Sequence, residues 1–111
     1  MVAGRRLKQG FSMDAKTRID NAAIASDFLT LLGNEKRLAI VALLLESEMS
    51  VGAIAEKVSL SQSALSQHLA KLRAFGLVKT RRDRQMIYYS CDSQAARRLL
   101  VTVEQIYGPI L

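Results

Sequence analysis

Residues 50–84 read SVGAIAEKVSLSQSALSQHLAKLRAFGLVKTRRDR, and two short helical patterns in this stretch are followed by the alternation of a β-strand. Ser50 is placed to cap the first of these helices. Ser61 is placed to cap the second helix, which runs to Phe75 and stops at Gly76. Two short helices joined by a few residues are the arrangement of a helix-turn-helix unit.

The sequence after Gly76 predicts a β-hairpin, because apolar and polar residues alternate there. Its strands are expected at Leu77–Arg81 and Gln85–Tyr89, on either side of a polar tip at residues 82–84. A hairpin that directly follows a helix-turn-helix unit is the wing of a winged helix-turn-helix fold.

Helices are also predicted on both sides of this unit. Upstream, apolar residues at helical spacing predict a first helix, which Gly33 ends in the left-handed conformation. Asn34 is then placed to cap a second helix, whose apolar run Leu38–Leu45 is typical of a buried core helix. Downstream, a last helix is expected from Asp92 until Gly108. The predicted fold is therefore mainly α: four helices, a β-hairpin wing and a C-terminal helix.

Length and composition fit one helical domain. The chain has 111 residues, of which 50% are hydrophobic and 5% aromatic, so it has room for a single compact core. Residues 1–15 are expected to be a disordered basic tail, which leaves residues 16–111 for the domain. The longest apolar run, at residues 38–45, is far shorter than the roughly 20 residues that cross a bilayer, and no secretory signal is visible. We therefore expect a cytoplasmic protein without a membrane partner.

Positive charge is concentrated in one part of the chain. The formal net charge is +6, from 16 Lys and Arg against 10 Asp and Glu. Residues 61–85 contain a single anion, Asp83, against the cations Lys71, Arg73, Lys79, Arg81, Arg82 and Arg84. Localised positive charge of this kind points to nucleic acid, and less strongly to an anionic membrane surface.

The second helix of the helix-turn-helix unit, which we call the recognition helix, has two different faces when its residues are placed at 100° steps. One face is apolar, and the other carries amides and hydroxyls that can bond to base edges in the major groove of double-stranded DNA. A merely solvated face would look the same, so the interpretation depends on the adjoining turn and cationic hairpin. The residues predicted to contact bases are Gln62, Ser63, Ser66 and Gln67. The residues predicted to contact phosphates are Ser61, Lys71, Arg73, Arg81, Arg82 and Arg84.

The first and last helices carry more apolar surface than so small a core can cover, which predicts an isologous homodimer. The residues predicted for its interface are Ile19, Ala22, Ala23, Leu99, Leu100, Val103 and Ile106. Two recognition helices would then enter successive major grooves about 34–36 Å apart, so we expect a palindromic promoter site.

The sequence shows no paired carboxylates, nucleophile–base pair or phosphate loop, and we therefore expect neither an enzyme nor a cofactor. The single histidine, His68, is expected to be a packing residue at the border of the apolar face. The single cysteine, Cys91, cannot form an intramolecular disulfide and is expected to be structural. Two alternatives to an ungated repressor stay open: a thiol-based redox-responsive repressor that uses Cys91, and a winged-helix module that binds a protein partner.

The recognition helix and the hairpin resemble those of a known family. The run LSQSALSQHL at residues 60–69, followed by the beginning of the hairpin at residues 76–82, is similar to the recognition helix and wing of ArsR/SmtB-family repressors. The resemblance covers about residues 20–107 and implies a dimeric transcriptional repressor. The family's metal sensors carry Cys-x-Cys in the third helix or His and acidic ligands in the last, and neither set is present here. Its redox-sensing members carry a cysteine pair where this chain has Ala42 and Gly108. The resemblance therefore implies a repressor without a metal effector.

Overall fold

The structure of the protein is a computed structural model, and it describes residues 14–111. Residues 1–13, which hold most of the predicted basic tail, lie outside the described residues. The helices are α1 (Ala15–Leu32), α2 (Glu35–Glu46), α3 (Val51–Val58), α4 (Gln62–Phe75) and α5 (Gln94–Tyr107). The strands are β1 (Met49–Ser50), β2 (Lys79–Asp83) and β3 (Met86–Ser90). The predicted winged helix-turn-helix, with four helices, a wing and a C-terminal helix, is confirmed. The described residues divide into two units, one that ends at Thr30 and one that spans Leu31–Leu111.

Helix α1 begins before the apolar pattern that predicts it. Asp14 caps the helix, because its Oδ1 accepts the Thr17 N–H at 2.8 Å. This hydrogen bond lowers the pKa of Asp14. Lys16 and Asp20 form an exposed ion pair one turn apart, at 3.1 Å. Because this first turn is polar, an apolar periodicity that starts at Ile19 does not mark the beginning of the helix.

Helix α2 is capped as predicted, since the side chain of Asn34 accepts the Arg37 N–H at 3.0 Å. The expectation of a left-handed Gly33 is wrong, because the described glycines with positive φ are Gly76 and Gly108. The reason is that the next residue, Asn34, is extended, with φ −142°, and is the N-cap of α2. The chain therefore passes from α1 to α2 without a left-handed turn.

The hydrophobic core lies between α2, α3 and α4, which contact one another pairwise. The largest fully buried side chains are Ile40, Val41, Leu44, Ile54, Leu65, Leu69 and Leu72. Helix α2 contacts α3, α4, α5 and β3, which confirms it as the central helix. Truncation of one such side chain to alanine costs about 2–5 kcal/mol, so this core holds α4 firmly in one orientation.

The wing differs from its prediction at the tip and at one edge. The sheet is antiparallel with the strand order β1-β3-β2. Strands β2 and β3 pair as far as Asp83 and Met86, so Arg82 and Asp83 lie in β2 rather than in the tip. Arg84 turns the chain with a left-handed φ of 60°. The third strand, β1, is not predicted, because two residues are too few to show an alternation.

Helix α5 begins at Gln94, slightly later than predicted. Ser93 caps it, since the Ser93 Oγ accepts the Ala96 N–H at 3.1 Å. The helix ends at Gly108, as predicted, where φ is 93°.

Candidate nucleic-acid interface

The recognition helix α4 presents a free polar face. The residues predicted to contact bases, Gln62, Ser63, Ser66 and Gln67, are all exposed. Within residues 14–111 none of these four side chains has a hydrogen-bond partner. The opposite face of α4 is buried in the core. The amides and hydroxyls of the outer face are therefore available to an external partner.

The beginning of α4 combines a serine hydroxyl with free backbone N–H groups. The Ser61 Oγ accepts the Ala64 N–H at 3.1 Å, which leaves the hydroxyl hydrogen able to donate outward. The N–H groups of Gln62 and Ser63 have no partner within the helix, because they belong to its first turn. Donors at the positive end of a helix dipole suit a phosphate oxygen. The geometry is thus compatible with both roles predicted for Ser61, helix cap and phosphate donor.

The turn between α3 and α4 sets the angle at which the recognition helix leaves the core. Ser59 ends α3 in the left-handed conformation, with φ 57°, and the Leu60 N–H bonds back to the Ala55 carbonyl at 3.0 Å. The Lys36 Nζ donates to the Val58 carbonyl at 2.8 Å. The turn is therefore tied to α2, and Lys36 is part of that link.

His68 lies at the inner border of α4 and is half-buried. Its Nδ1 is 3.3 Å from Arg37 Nη1, and the Arg37 Nε donates to the Leu31 carbonyl at 2.6 Å. Desolvation, followed by the charges of Arg37 and Lys71, lowers the pKa of His68. A neutral imidazole can accept the Arg37 N–H at Nδ1. His68 is therefore a packing and hydrogen-bonding residue, as expected from the sequence.

Two neighbouring arginines of β2 lie on opposite faces of the wing, because side chains alternate along a strand. Arg81 is paired, since its guanidinium makes three hydrogen bonds of 2.8–3.0 Å to the Glu48 carboxylate. It also lies over the ring of Tyr88, 4.8 Å from the centroid. The hydrogen bonds to Glu48 raise the pKa of Arg81. Arg82 faces the other way, on the side of the sheet that carries Tyr89.

The remaining cations predicted to contact phosphates are exposed and have no hydrogen-bond or ion-pair partner within residues 14–111. They are Lys71, Arg73, Arg82 and Arg84. Lys79, in contrast, pairs with Asp92 at 2.8 Å. Arg81 is neutralised in the same way by Glu48. Among the cations predicted to contact phosphates, the unpaired ones therefore lie on α4 and on the end of the wing.

A groove separates α4 from the wing. It is lined by Ser66, Ala70, Arg73 and Ala74 of α4 and by Tyr89 of β3. Tyr89 is not among the residues predicted for the interface, because in the sequence it is an ordinary aromatic strand residue. The signal that could have found it is the strand alternation, which places Tyr89 on the same face as Arg82.

Cys91 follows β3 and is 5% exposed. Burial raises the pKa of its thiol. The thiol is therefore protonated near neutral pH, and a buried thiol in that form is a poor nucleophile. This environment disfavours the redox-responsive alternative.

The residues predicted for the dimer interface do not all lie at the surface. Those that are exposed or half-buried are Ile19, Ala22, Ala23, Leu99, Val103 and Ile106. Leu100, in contrast, is 4% exposed and lies beside Ala42 and Leu45 of α2. The assignment of Leu100 is corrected accordingly, because its side chain belongs to the core of its own chain.

Two further features of residues 14–111 bear on possible ligands and on membranes. In this part of the chain no three His, Cys, Asp or Glu side chains cluster closely enough to hold a metal ion. None of the helices between Ala15 and Tyr107 combines the length and the apolar character needed to cross a membrane.

Comparison with protein families matches residues 34–80 to the model described as "Bacterial regulatory protein, arsR family". The nodulation protein NolR of Rhizobium meliloti is 56% identical over 89 residues, which cover 80% of this chain and 73% of that protein. The transcriptional activator HlyU of Vibrio cholerae is 39% identical over 99 residues, covering 89% of this chain and 92% of that protein.

Solved structures show the same likeness. The crystal structure of NolR from Sinorhizobium fredii matches with a TM-score of 0.79 and 51% identity, over 86% of this chain and 95% of that one. The solution structure of Mb0332 from Mycobacterium bovis, described as a homodimeric winged helix-turn-helix DNA-binding domain, matches with a TM-score of 0.72 and 26% identity. That match covers 87% of this chain and 90% of the other.

Proposed function

Since the chain belongs to the ArsR family of bacterial regulatory proteins, we propose that it represses transcription by binding a palindromic promoter site as a homodimer. Family membership identifies the chain as a DNA-binding transcriptional regulator. It also confirms the resemblance read from the recognition helix, and the prediction that the chain is not an enzyme. The sign of regulation, the dimer, the symmetry of the site and the lack of a metal effector are parts of the proposal.

The observation that carries the proposal is the free polar face of α4. Its four exposed side chains, Gln62, Ser63, Ser66 and Gln67, have no hydrogen-bond partner within residues 14–111. A glutamine amide can bond in two places to the N6 and N7 edge of adenine, and serine can bond to any base in the major groove. These four residues are therefore assigned to base contacts.

Phosphate contacts would come from both sides of this face. The Ser61 hydroxyl and the first N–H groups of α4 offer one anion site. Arg73 lines the groove between α4 and the wing, and Arg82 lies on the sheet face that adjoins this groove. Lys71 and Arg84 are exposed and unpaired within residues 14–111. This cationic wing also favours DNA over the alternative of a protein partner.

The proposed homodimer uses apolar side chains that each unit leaves exposed. In α1, Ile19 is 67% exposed, and Ala22 and Ala23 are exposed as well. In α5, Ile106 is 66% exposed. Exposed apolar surface of this kind marks a protein interface, and a twofold axis presents the same surface on both chains. A symmetric pair of recognition helices then requires two half-sites, which is why the proposed site is palindromic.

Repression would follow from occupancy, because a protein bound at the promoter excludes the polymerase. No metal effector is proposed, because the α3 sequence VGAIAEKV and the α5 sequence QAARRLLVTVEQIY contain neither Cys nor His. The burial of Cys91 and its raised pKa support a repressor that does not respond to thiol oxidation.

The proposal is tested by selecting duplexes from a random pool with the purified full-length protein. The expected result is enrichment of an inverted repeat, and failure to enrich any sequence over random competitor would overturn sequence-specific binding. Transcription in vitro from a promoter that contains the enriched site then tests the sign of regulation. Added protein is expected to lower the transcript level, and an increase would contradict repression.

A further inference from the structure

We propose that Glu48 is a positioning residue for DNA binding, which fixes the direction of the wing by holding Arg81 across the central strand of the sheet. This inference rests on the proposed function, since it assigns roles within the same DNA-binding surface. It also changes the role of Arg81, which stays bound to Glu48 and does not contact phosphate.

The pair links the two outer strands of the sheet. Glu48 directly precedes β1 at one edge, and Arg81 lies in β2 at the other edge. The Arg81 Nε is 3.0 and 2.9 Å from the two carboxylate oxygens of Glu48, and its Nη2 is 2.8 Å from Oε1. The ring of Tyr88, in the central strand β3, lies beneath the guanidinium at 4.8 Å. The guanidinium therefore uses its edge for hydrogen bonds and its face for the aromatic ring.

Other contacts hold only the base of the wing, where β3 packs against α2 and α3 and Lys79 pairs with Asp92. Strand β1 pairs with β3 through Met49 and Ser50 alone. The outer half of the hairpin, from Arg82 to Ile87, pairs only within itself. A two-stranded hairpin is marginally stable alone. The Glu48–Arg81 pair links β1 and β2 in addition to their pairing with β3, and it would therefore restrict rotation of the wing about β3.

The Glu48–Arg81 pair holds the strand that also carries Arg82. Arg82 follows Arg81 in β2, so the alternation of side chains along the strand places it on the opposite face. That other face carries Tyr89, which lines the groove beside α4. Glu48 thus acts on DNA binding through Arg81 and Arg82, although its own charge has the same sign as the phosphates.

Glu48 is negatively charged, so electrostatics alone and positioning of the wing predict opposite changes in DNA affinity when Glu48 is replaced. Replacement of a carboxylate on a DNA-binding protein by an amide strengthens binding to a polyanion if only electrostatics act. If Glu48 positions the wing, Glu48→Gln instead weakens binding to the selected duplex, by about twofold to fivefold in Kd. Unchanged or tighter binding would overturn the inference.

A charge exchange tests whether Arg81 contacts phosphate. The double variant E48R/R81E keeps the net charge, and its Kd is expected to return to within about threefold of the wild-type value with an unchanged salt dependence. If Arg81 contacted phosphate, the double variant would stay weak and the slope of log K against log salt would fall by about 0.9 for each lost contact.

Coupling to Arg82 separates positioning from a general loss of stability. Arg82→Ala is expected to weaken binding less in the Glu48→Gln background than in the wild-type protein, and equal effects in both would overturn the inference.

Arg81→Lys keeps the charge and loses the two-pronged hydrogen bond. It replaces the double variant E48R/R81E as the test if that variant does not fold. It is expected to weaken binding with an unchanged salt slope, and a lower slope would overturn the inference. Failure of the wild-type protein to prefer any duplex would instead overturn the proposed function.

Discussion

Ser61 and Ser93 make the same hydrogen bond at the beginnings of two helices with different proposed roles. Each Oγ accepts the N–H of the alanine three residues later, Ala64 in α4 and Ala96 in α5, at 3.1 Å. Helix α4 carries the proposed base contacts, and α5 carries part of the proposed dimer surface. The two serines therefore form a matched pair that separates helix capping from DNA contact.

Ser61→Ala and Ser93→Ala are each expected to lower the free energy of unfolding by about 1 kcal/mol, because each removes a helix cap. Urea denaturation measures this loss. Only Ser61→Ala is expected also to weaken DNA binding, by about tenfold, because it removes a donor to phosphate as well. Equal DNA affinities of the two variants would contradict the contact assigned to Ser61.

Arg82→Ala is expected to weaken binding to selected and random duplexes alike. It should also lower the slope of log K against log salt by about 0.9 for each phosphate contact removed. Lys79→Ala is the matched control, because Lys79 lies in the same strand on the opposite face and is already paired with Asp92 at 2.8 Å. A titration of binding against salt compares the two. A slope that Arg82→Ala leaves at the wild-type value would show that Arg82 makes no phosphate contact.

Gln67→Ala is expected to relax base preference at one position of each half-site, with a loss of discrimination of about 1–3 kcal/mol and little change in the salt slope. Duplex selection repeated with the variant measures the preference position by position. Gln105→Ala, at an exposed glutamine of α5, is the control and should leave every position unchanged. If Gln67→Ala also leaves the selected sequence unchanged, the assignment of Gln67 to base contact is wrong.

Cys91 is expected to react slowly with a thiol reagent in the folded protein and rapidly after denaturation. The reason is that the thiol is buried and its pKa is raised. Affinity for the selected duplex should be the same before and after treatment with peroxide. Peroxide-dependent loss of binding that Cys91→Ala abolishes would restore the redox-responsive alternative.

The parts of the fold that sequence analysis predicted correctly depend on local chemistry. Asn34, Ser61 and Gly76 each act within a few residues of their own position, so a single stretch of sequence is enough to place them. The error at Gly33 is also local, but other failures occur where distant residues meet. Arg81 looks like a free cation until the fold brings it to Glu48, which lies 33 positions away in the sequence.

Contacts between distant segments explain two further differences. Leu100 belongs to an apolar stripe of α5, and periodicity alone does not say whether α2 or a second chain covers each residue of that stripe. The pairing of β1 with β3 likewise depends on a contact between segments 40 positions apart, at Met49 and Tyr89. The exposed polar face of α4 was predictable because both its periodicity and its caps are local.

The symmetric placement of two recognition helices on one duplex is tested most directly by changing the distance between the half-sites. Gel-shift titration of the wild-type protein should show two chains on the selected duplex. Insertion of five base pairs between the half-sites turns them to opposite sides of the helix, and affinity should fall by about 100-fold or more, toward that for random DNA. A single bound chain, or equal affinity for both spacings, would contradict a dimer that reads successive major grooves.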